Sequence, residues 1–164
     1  MKQAVLLGIG CNVQPTVHVP KILNALVEKF ETAWLSRLVM TKPVGVVGAA
    51  DFCNGVLYFY SELSEQELIA WCKQLEQQIG RTPQDCKSRQ IADLDVLWCG
   101  SSIQTLNPSE IIKESYYQQP AQEVLWSVNR LAAKSYESNQ PLDVLLVLGP
   151  SSVMVGDKPT MIHS

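Results

Sequence analysis

The sequence predicts an α+β fold in a single domain that spans residues 1–164. The length lies in the usual range of one domain, and 46% hydrophobic with 18% charged residues is typical of a globular protein. The apolar patterns follow one another in the order strand, helix, strand, strand, helix, strand. That order is typical of a ferredoxin-like βαββαβ sheet, and we expect the remaining residues to form a C-terminal extension packed onto it.

The first four elements are predicted from apolar patterns and the residues that bound them. Residues 4–9 form an apolar run that ends in glycine and asparagine, which predicts a buried strand and a turn. Apolar residues recur at helical spacing over residues 19–30, with prolines near the start. Residues 34–40 and 52–60 are rich in aromatic and branched side chains and predict two strands. The loop between these strands has the length of loops that often bind ligands.

The second helix is predicted from both of its ends. Residues 64–67, Ser-Glu-Gln-Glu, form a capping box, and Gly80 is expected to end the helix. An apolar stripe lies between them, made of Leu68, Cys72, Leu75 and Ile79. Residues 91–97 are then predicted to form a strand that contains two acidic residues and is followed by Gly100.

The C-terminal region has weaker patterns. A short helix is predicted from Ser109, and a longer one from Pro120 to Leu131, where apolar residues recur at helical spacing. Residues 143–148 are predicted to form one more strand. We expect the tail from Gly149 onward to lack regular structure.

Charge and cysteine content argue against several classes of function. A formal net charge of -3 provides no broad basic surface for nucleic acid. No apolar run approaches the length of a membrane span, and the N-terminus lacks a secretory signal pattern. Five widely spaced cysteines without a C-x-x-C motif fit neither a disulfide framework nor a zinc site. We therefore expect a cytoplasmic protein without nucleic-acid or membrane partners.

Asp93 and Asp95 form the most informative pair of charged residues. On a strand, side chains two positions apart point to the same face, with α-carbons roughly 6.5 Å apart. Two neighbouring carboxylates repel each other, and a cation between them relieves the repulsion. Mg²⁺ prefers carboxylates, water and phosphate oxygens, so the pair suits a metal-phosphate site. The alternative is the solvent-exposed face of an edge strand.

Five short motifs resemble those of a known enzyme family in their order and spacing. They are Gly10-Cys11-Asn12, Thr41-Lys42-Pro43-Val44-Gly45, Asp51-Phe52-Cys53-Asn54, Gly80-Arg81 and Asp93-Leu94-Asp95. The set resembles the 6-hydroxymethyl-7,8-dihydropterin pyrophosphokinase family of folate biosynthesis, whose pattern includes G-S-N, T-P-P-x-G, D-[FY]-x-N, G-R and D-L-D. The resemblance is clearest over residues 1–100.

The resemblance implies transfer of the pyrophosphoryl group of ATP to the hydroxymethyl group of the reduced pterin, with ATP as co-substrate and two Mg²⁺ ions. It implies that Asp93 and Asp95 hold the metal ions. It also implies that Arg81 and Arg89 act beside them on the phosphates, with Glu76 near the nucleotide. The alternative for Glu76 is a solvated helix face, and for Arg81 a cation at a helix C-terminus.

The resemblance further implies a pterin pocket. Asn54 is expected to hydrogen-bond the pterin edge, and Phe52 to lie against the ring. The alternative for Asn54 is a turn or bulge side chain, and for Phe52 core packing. The loop whose backbone flanks the pterin corresponds to Thr41, Pro43, Val44 and Gly45.

Two motifs of the family are missing from this chain. They are the H-P-[RH] or P-H-Y segment and an R-x-F clamp, near whose position stand residues 121–123, Ala-Gln-Glu. Loss of charge-assisted contacts to the triphosphate predicts weakened catalysis. If residues 121 and 123 face the site, restoring arginine and an aromatic residue there is expected to strengthen binding. A non-catalytic paralogue that binds pterin or nucleotide is the alternative, and a structural module on a ferredoxin-like sheet is a third hypothesis.

Overall fold

The computed structural model describes residues 1–102, 106–129, 141–148 and 151–164. Within these ranges the chain forms four helices, which are α1 (Pro15–Phe30), α2 (Glu65–Ile79), α3 (Pro108–Ile111) and α4 (Ser115–Val128). The strands of the main sheet are β1 (Gln3–Cys11), β2 (Thr32–Leu35), β3 (Val39–Thr41), β4 (Phe52–Ser61), β5 (Asp93–Gly100) and β8 (Thr160–His163). A two-stranded sheet is made of β6 (Val144–Leu148) and β7 (Ser151–Val155).

The main sheet has the strand order β5-β1-β4-β2-β8, with β3 also paired to β4. Neighbouring strands are antiparallel, and the first four in this order follow the arrangement of a ferredoxin-like sheet. The predicted α+β class is therefore confirmed. The strands β5 and β8 lie at the two ends of this strand order and are edge strands of the main sheet.

Helices cover both faces of the main sheet. On one face, α1 and α2 pack against the odd-numbered residues of β1. On the other face, α4 packs against the even-numbered residues Ala4 and Leu6. Because strand side chains alternate between faces, Gly8 and Gly10 lie on the same face as α4.

The two helices predicted in the first half of the chain are confirmed. In α1, the buried residues lie on one stripe between Val19 and Val27. At the start of α2, the Ser64 hydroxyl accepts from the Glu67 backbone while the Glu67 carboxylate accepts from the Ser64 backbone. Gly80 ends α2 with a φ of 128°, a conformation that favours glycine. None of the described helices is long and apolar enough to cross a membrane.

The strand predicted over residues 34–40 is interrupted. Its first part belongs to β2, and β3 begins only at Val39. Between them, Ser36 N donates to Val56 O at 2.9 Å, while Ser36 Oγ accepts from Val56 N at 2.9 Å. The hydroxyl replaces a backbone partner at this point, and the apolar pattern gives no sign of it. In addition, β5 spans Asp93–Gly100 rather than residues 91–97.

The C-terminal predictions are partly wrong. The helix α4 begins at Ser115 rather than at Pro120, because packing of α4 on the sheet outweighs the one backbone hydrogen bond that an internal proline removes. The described part of the tail contains β7 and β8, and β8 pairs with β2. This pairing joins residues that are distant in sequence, so no local pattern reveals it. The predicted limits Leu131 and Gly149 lie outside the described residues.

Candidate active site

A cavity of about 290 Å³ lies where residues of β1, β3, β4 and β5 come together. The sheet register pairs Gly10 of β1 with both Asn54 of β4 and Asp93 of β5, so these three residues share one face. Loop residues and α4 complete the walls. The lining residues are Gly10, Thr41, Lys42, Val44, Val46, Phe52, Asn54, Lys87, Gln90, Asp93, Tyr116 and Tyr117.

Asn54 is fixed at the floor of the cavity. Asn54 is 3% exposed, and its Nδ2 donates a hydrogen bond to Thr41 Oγ1 at 2.6 Å. The residue is in regular register with Gly10 and Val39. The alternative of a turn or bulge side chain is therefore wrong for Asn54.

The other residues predicted for the pterin pocket lie around this floor. Phe52 is half-buried and lines the cavity, so simple core packing does not describe it. Val44 lines the cavity from the loop and is 69% exposed. Pro43 and Gly45 flank Val44 without lining the cavity themselves, and Gly45 has a φ of 70° that favours glycine.

Asp93 and Asp95 lie on one face at the start of β5, as predicted. Leu94 between them is buried on the opposite face. Both carboxylates are half-buried, so this face is not fully solvated. Burial, followed by the negative charge of Asp93, raises the pKa of Asp95 to about 6. Among the described residues no cationic side chain forms an ion pair with Asp95.

Glu76, Arg81 and Asp93 form a connected ion-pair network. Arg81 Nη1 lies 3.0 Å from Glu76 Oε2 and 2.9 Å from Asp93 Oδ1. Glu76 is 2% exposed, and its Oε1 accepts from Leu94 N at 2.7 Å. The carboxylate thus satisfies a backbone donor of the edge strand β5, and the alternative of a solvated helix face is wrong for Glu76.

Arg89 forms an ion pair with Asp85 inside the loop that follows α2. Its side chain is 55% exposed, and it is not among the lining residues of the cavity. The cations that line the cavity from the described residues are Lys42 and Lys87. Of these, Lys42 lies 2.9 Å from Asp51.

Ala121 and Glu123 do not face the cavity. They are 0% and 1% exposed, and Ala121 belongs to the apolar cluster between α4 and the sheet. Glu123 forms a buried ion pair with Arg37, in which Arg37 Nη2 lies 2.7 Å from Oε1 and Nε lies 3.1 Å from both carboxylate oxygens. The condition that residues 121 and 123 face the site is therefore not met, because the helical repeat turns both side chains toward the sheet.

Sequence reasoning did not predict which residues of α4 line the cavity. Tyr116 and Tyr117 both line it, and their rings are in edge contact with centroids 4.6 Å apart. The sequence of β1 contains an indication of this contact, because Gly8 and Gly10 are two positions apart and lie on the same face of the strand. Glycines inside a strand often mark a close approach by another group, and here that group is Tyr117.

The comparisons with known proteins agree with this geometry. A family model described as 7,8-dihydro-6-hydroxymethylpterin-pyrophosphokinase matches residues 6–126, a range that includes every lining residue of the cavity. No curated protein matches the chain. Because the matched range covers well over half of the sequence, the chain belongs to the 7,8-dihydro-6-hydroxymethylpterin-pyrophosphokinase family.

Proposed function

We propose that this protein transfers the pyrophosphoryl group of ATP to the hydroxymethyl group of 6-hydroxymethyl-7,8-dihydropterin in folate biosynthesis. The observation that carries the proposal is that one cavity brings together Thr41, Phe52, Asn54 and Asp93. These residues come from three strands and were assigned to pterin and metal binding by their motifs alone. Their convergence supports both assignments at once.

The pterin is bound by the floor and one wall of the cavity. Asn54 is oriented by Thr41, which leaves its carbonyl oxygen to accept from an N–H group on the heterocycle edge. Phe52 offers an aromatic face for stacking against the flat ring. Val44 lines this site between Pro43 and Gly45, and the loop supplies shape rather than side-chain chemistry.

The donor set at the start of β5 fits Mg²⁺. Asp93 and Asp95 supply hard oxygen ligands. Burial, and then the negative charge of Asp93, raises the pKa of Asp95, and a divalent cation between the two carboxylates relieves their repulsion. We propose that the two aspartates hold two Mg²⁺ ions. When bound, the ions supply neutralisation of the charge that develops on the phosphate oxygens during transfer.

On the phosphate side, Arg81 and Glu76 hold the side chain of Asp93 in position. The Arg81 guanidinium fixes one Asp93 oxygen, and Glu76 binds the same guanidinium nitrogen. Arg89 binds a phosphate only if it gives up its ion pair with Asp85. Once that ion pair is broken, Asp85, whose side chain is 6% exposed, still accepts hydrogen bonds from Thr82 N and Thr82 Oγ1.

A non-catalytic protein that binds pterin is the second candidate. It is favoured by the ion pairs of Arg81 and Arg89, which occupy both predicted phosphate ligands with acidic side chains. It is also favoured by the burial of Ala121 and Glu123, which removes the segment near the missing clamp from the cavity. We expect a cytoplasmic location for either candidate. Five unpaired cysteines support it, because disulfides are rare in the reducing cytoplasm.

The direct test is AMP formation from ATP, Mg²⁺ and the hydroxymethyl dihydropterin, measured with a coupled assay. The proposed function predicts AMP formation that depends on both protein and pterin. AMP formation no faster than without protein would reject catalysis. Calorimetry then separates the candidates, since pterin binding without Mg²⁺-ATP binding favours the non-catalytic one.

The metal assignment is tested with Asp95→Ala. This variant should lose Mg²⁺-dependent ATP binding and keep its fold, because removing one member of a like-charge pair does not weaken packing. The matched control is Asp143→Ala, which removes an exposed aspartate just before β6. Binding of Mg²⁺-ATP by Asp95→Ala as tight as that of the wild type would show that the metal assignment is wrong.

A further inference from the structure

Tyr117 of α4 lies across the floor of the cavity. It is 1% exposed, and it is one of the lining residues. Its ring packs over Gly8, where an added Cβ would lie 2.7 Å from two ring carbons. Only glycine leaves room for the ring at this position. The ring is therefore part of the core, while the hydroxyl end reaches the cavity.

The hydroxyl of Tyr117 converges with two other side chains over Gly10. A Cβ added to Gly10 would lie 3.2 Å from Asn54 Oδ1, 3.3 Å from Tyr117 Oη and 3.8 Å from the Asp93 Cβ. Three side chains from three different elements thus meet above one backbone position. The floor of the cavity is built around this point.

Two of the converging atoms have no hydrogen-bond partner within the described part of the chain. Tyr117 Oη forms no hydrogen bond there, and Asn54 uses Nδ2 for Thr41 while Oδ1 remains available. Every fully enclosed polar side-chain atom among the described residues is paired, so both atoms face the cavity instead. A tyrosine hydroxyl carries its proton at neutral pH, so Tyr117 can donate a hydrogen bond.

We propose that Tyr117 is a further substrate-binding residue, whose hydroxyl donates a hydrogen bond to the edge of the bound heterocycle. Asn54 Oδ1 accepts from a neighbouring N–H of the same edge. The floor thus offers one donor and one acceptor side by side, which suits the amino-oxo edge of a pterin. This inference rests on the proposed function and adds a specificity contact from α4.

The arrangement also predicts which ligands are rejected. A site that hydrogen-bonds its ligand discriminates against analogues without those groups, because its own polar atoms are then left unpaired. A pteridine without the amino and carbonyl groups has the ring but not the polar edge. It is expected to bind more weakly than 6-hydroxymethylpterin, and Tyr117 contributes to the difference.

Tyr117→Phe tests the inference, because it removes the hydroxyl and keeps the ring that packs over Gly8. Fluorescence titration should show binding of 6-hydroxymethylpterin weakened about 3- to 10-fold. Binding of the pteridine without the polar edge should change less than about twofold. The matched control is Tyr60→Phe, which removes a hydroxyl from a 53% exposed tyrosine outside the cavity. It should leave both affinities unchanged.

Equal losses for both ligands would overturn the inference, since a packing role weakens every ligand alike. Unchanged pterin affinity in Tyr117→Phe would overturn it as well. If Tyr117→Phe does not fold, Gly10→Ala decides, because its methyl group crowds Asn54 Oδ1 and Tyr117 Oη. Gly10→Ala with wild-type pterin affinity would overturn the inference. A wild-type protein that binds no pterin rejects the proposed function and this inference together, whereas a binding wild type with an unaffected variant rejects this inference alone.

Discussion

Replacing Glu123 with alanine should lower the free energy of unfolding by about 3 to 5 kcal/mol. The side chains of Arg37 and Glu123 are 6% and 1% exposed, and their closest approach is 2.7 Å. Removing the carboxylate deprives a buried guanidinium of this counter-ion in a place that excludes water. The desolvation cost of the arginine is then no longer offset by the ion pair.

The expected loss is large compared with the stability of a typical domain, which is about 5 to 15 kcal/mol. For a chain of this length it corresponds to a decrease in the melting temperature of roughly 6 to 20 °C. The same reasoning reverses the expectation for the Ala121→Arg with Glu123→Phe variant. Both positions are buried against the sheet, so this variant should be destabilised rather than bind ligands more tightly.

Urea denaturation of four proteins measures the effect: the wild type, Glu123→Ala, Arg37→Ala and the double variant. The double variant should lose less stability than the sum of the single variants, because the ion pair is lost only once. The matched control is Asp51→Ala, which breaks the exposed pair with Lys42 and should cost at most about 1 kcal/mol. A loss below about 1 kcal/mol for Glu123→Ala, or additive single losses, would refute the reasoning.

Three further predictions follow from the site and the core. The pKa of Asp95 is raised from 3.8, the value for the unfolded chain, to about 6 in the folded protein. Protonation of Asp95 therefore stabilises the fold fully below pH 3.8, and this contribution is lost as the pH rises through about 6. Asp95→Asn should therefore be about 1 to 2 kcal/mol more stable than the wild type at pH 8 and equally stable at pH 3.5, after allowing for partial solvent screening. Urea titrations at both pH values check this, with Asp143→Asn as control, and the same difference at both would contradict it. Leu75→Ala should cost about 2 to 5 kcal/mol because Leu75 is 5% exposed, and a thermal or urea measurement within about 0.5 kcal/mol of the wild type would put Leu75 outside the core. Thr41→Val removes the partner of Asn54 Nδ2 and should weaken pterin binding about 3- to 10-fold by calorimetry, whereas wild-type affinity would show that Thr41 does not orient Asn54.

The sequence was sufficient wherever a local pattern decides the structure. The helix α2 is an example, since its capping box, apolar stripe and terminal glycine all lie within one short segment. The shared face of Asp93 and Asp95 follows in the same way from the alternation of a strand. Residues of the pterin motifs could likewise be named in advance, although only the sheet register brings Gly10, Asn54 and Asp93 together.

What could not be predicted depends on contacts between distant residues. The strand β8 forms by pairing with β2, and the sequence of neither segment indicates which strand it pairs with. The burial of Glu123, which stands near the position of the family's clamp, could not be predicted because its partner Arg37 is far away in the sequence. Glu76 was not expected to bond to a backbone group of β5, since a carboxylate on a helix is usually solvated.

The claim that the cavity between the sheet and α4 binds the pterin is tested most directly by a crystal structure. The crystals should contain Mg²⁺, a non-hydrolysable ATP analogue and 6-hydroxymethylpterin. We predict the pterin in the cavity with its polar edge on Asn54, and metal density between the ligand phosphates and Asp93 and Asp95. An ordered pterin bound elsewhere on the protein, with the cavity empty, would contradict the account.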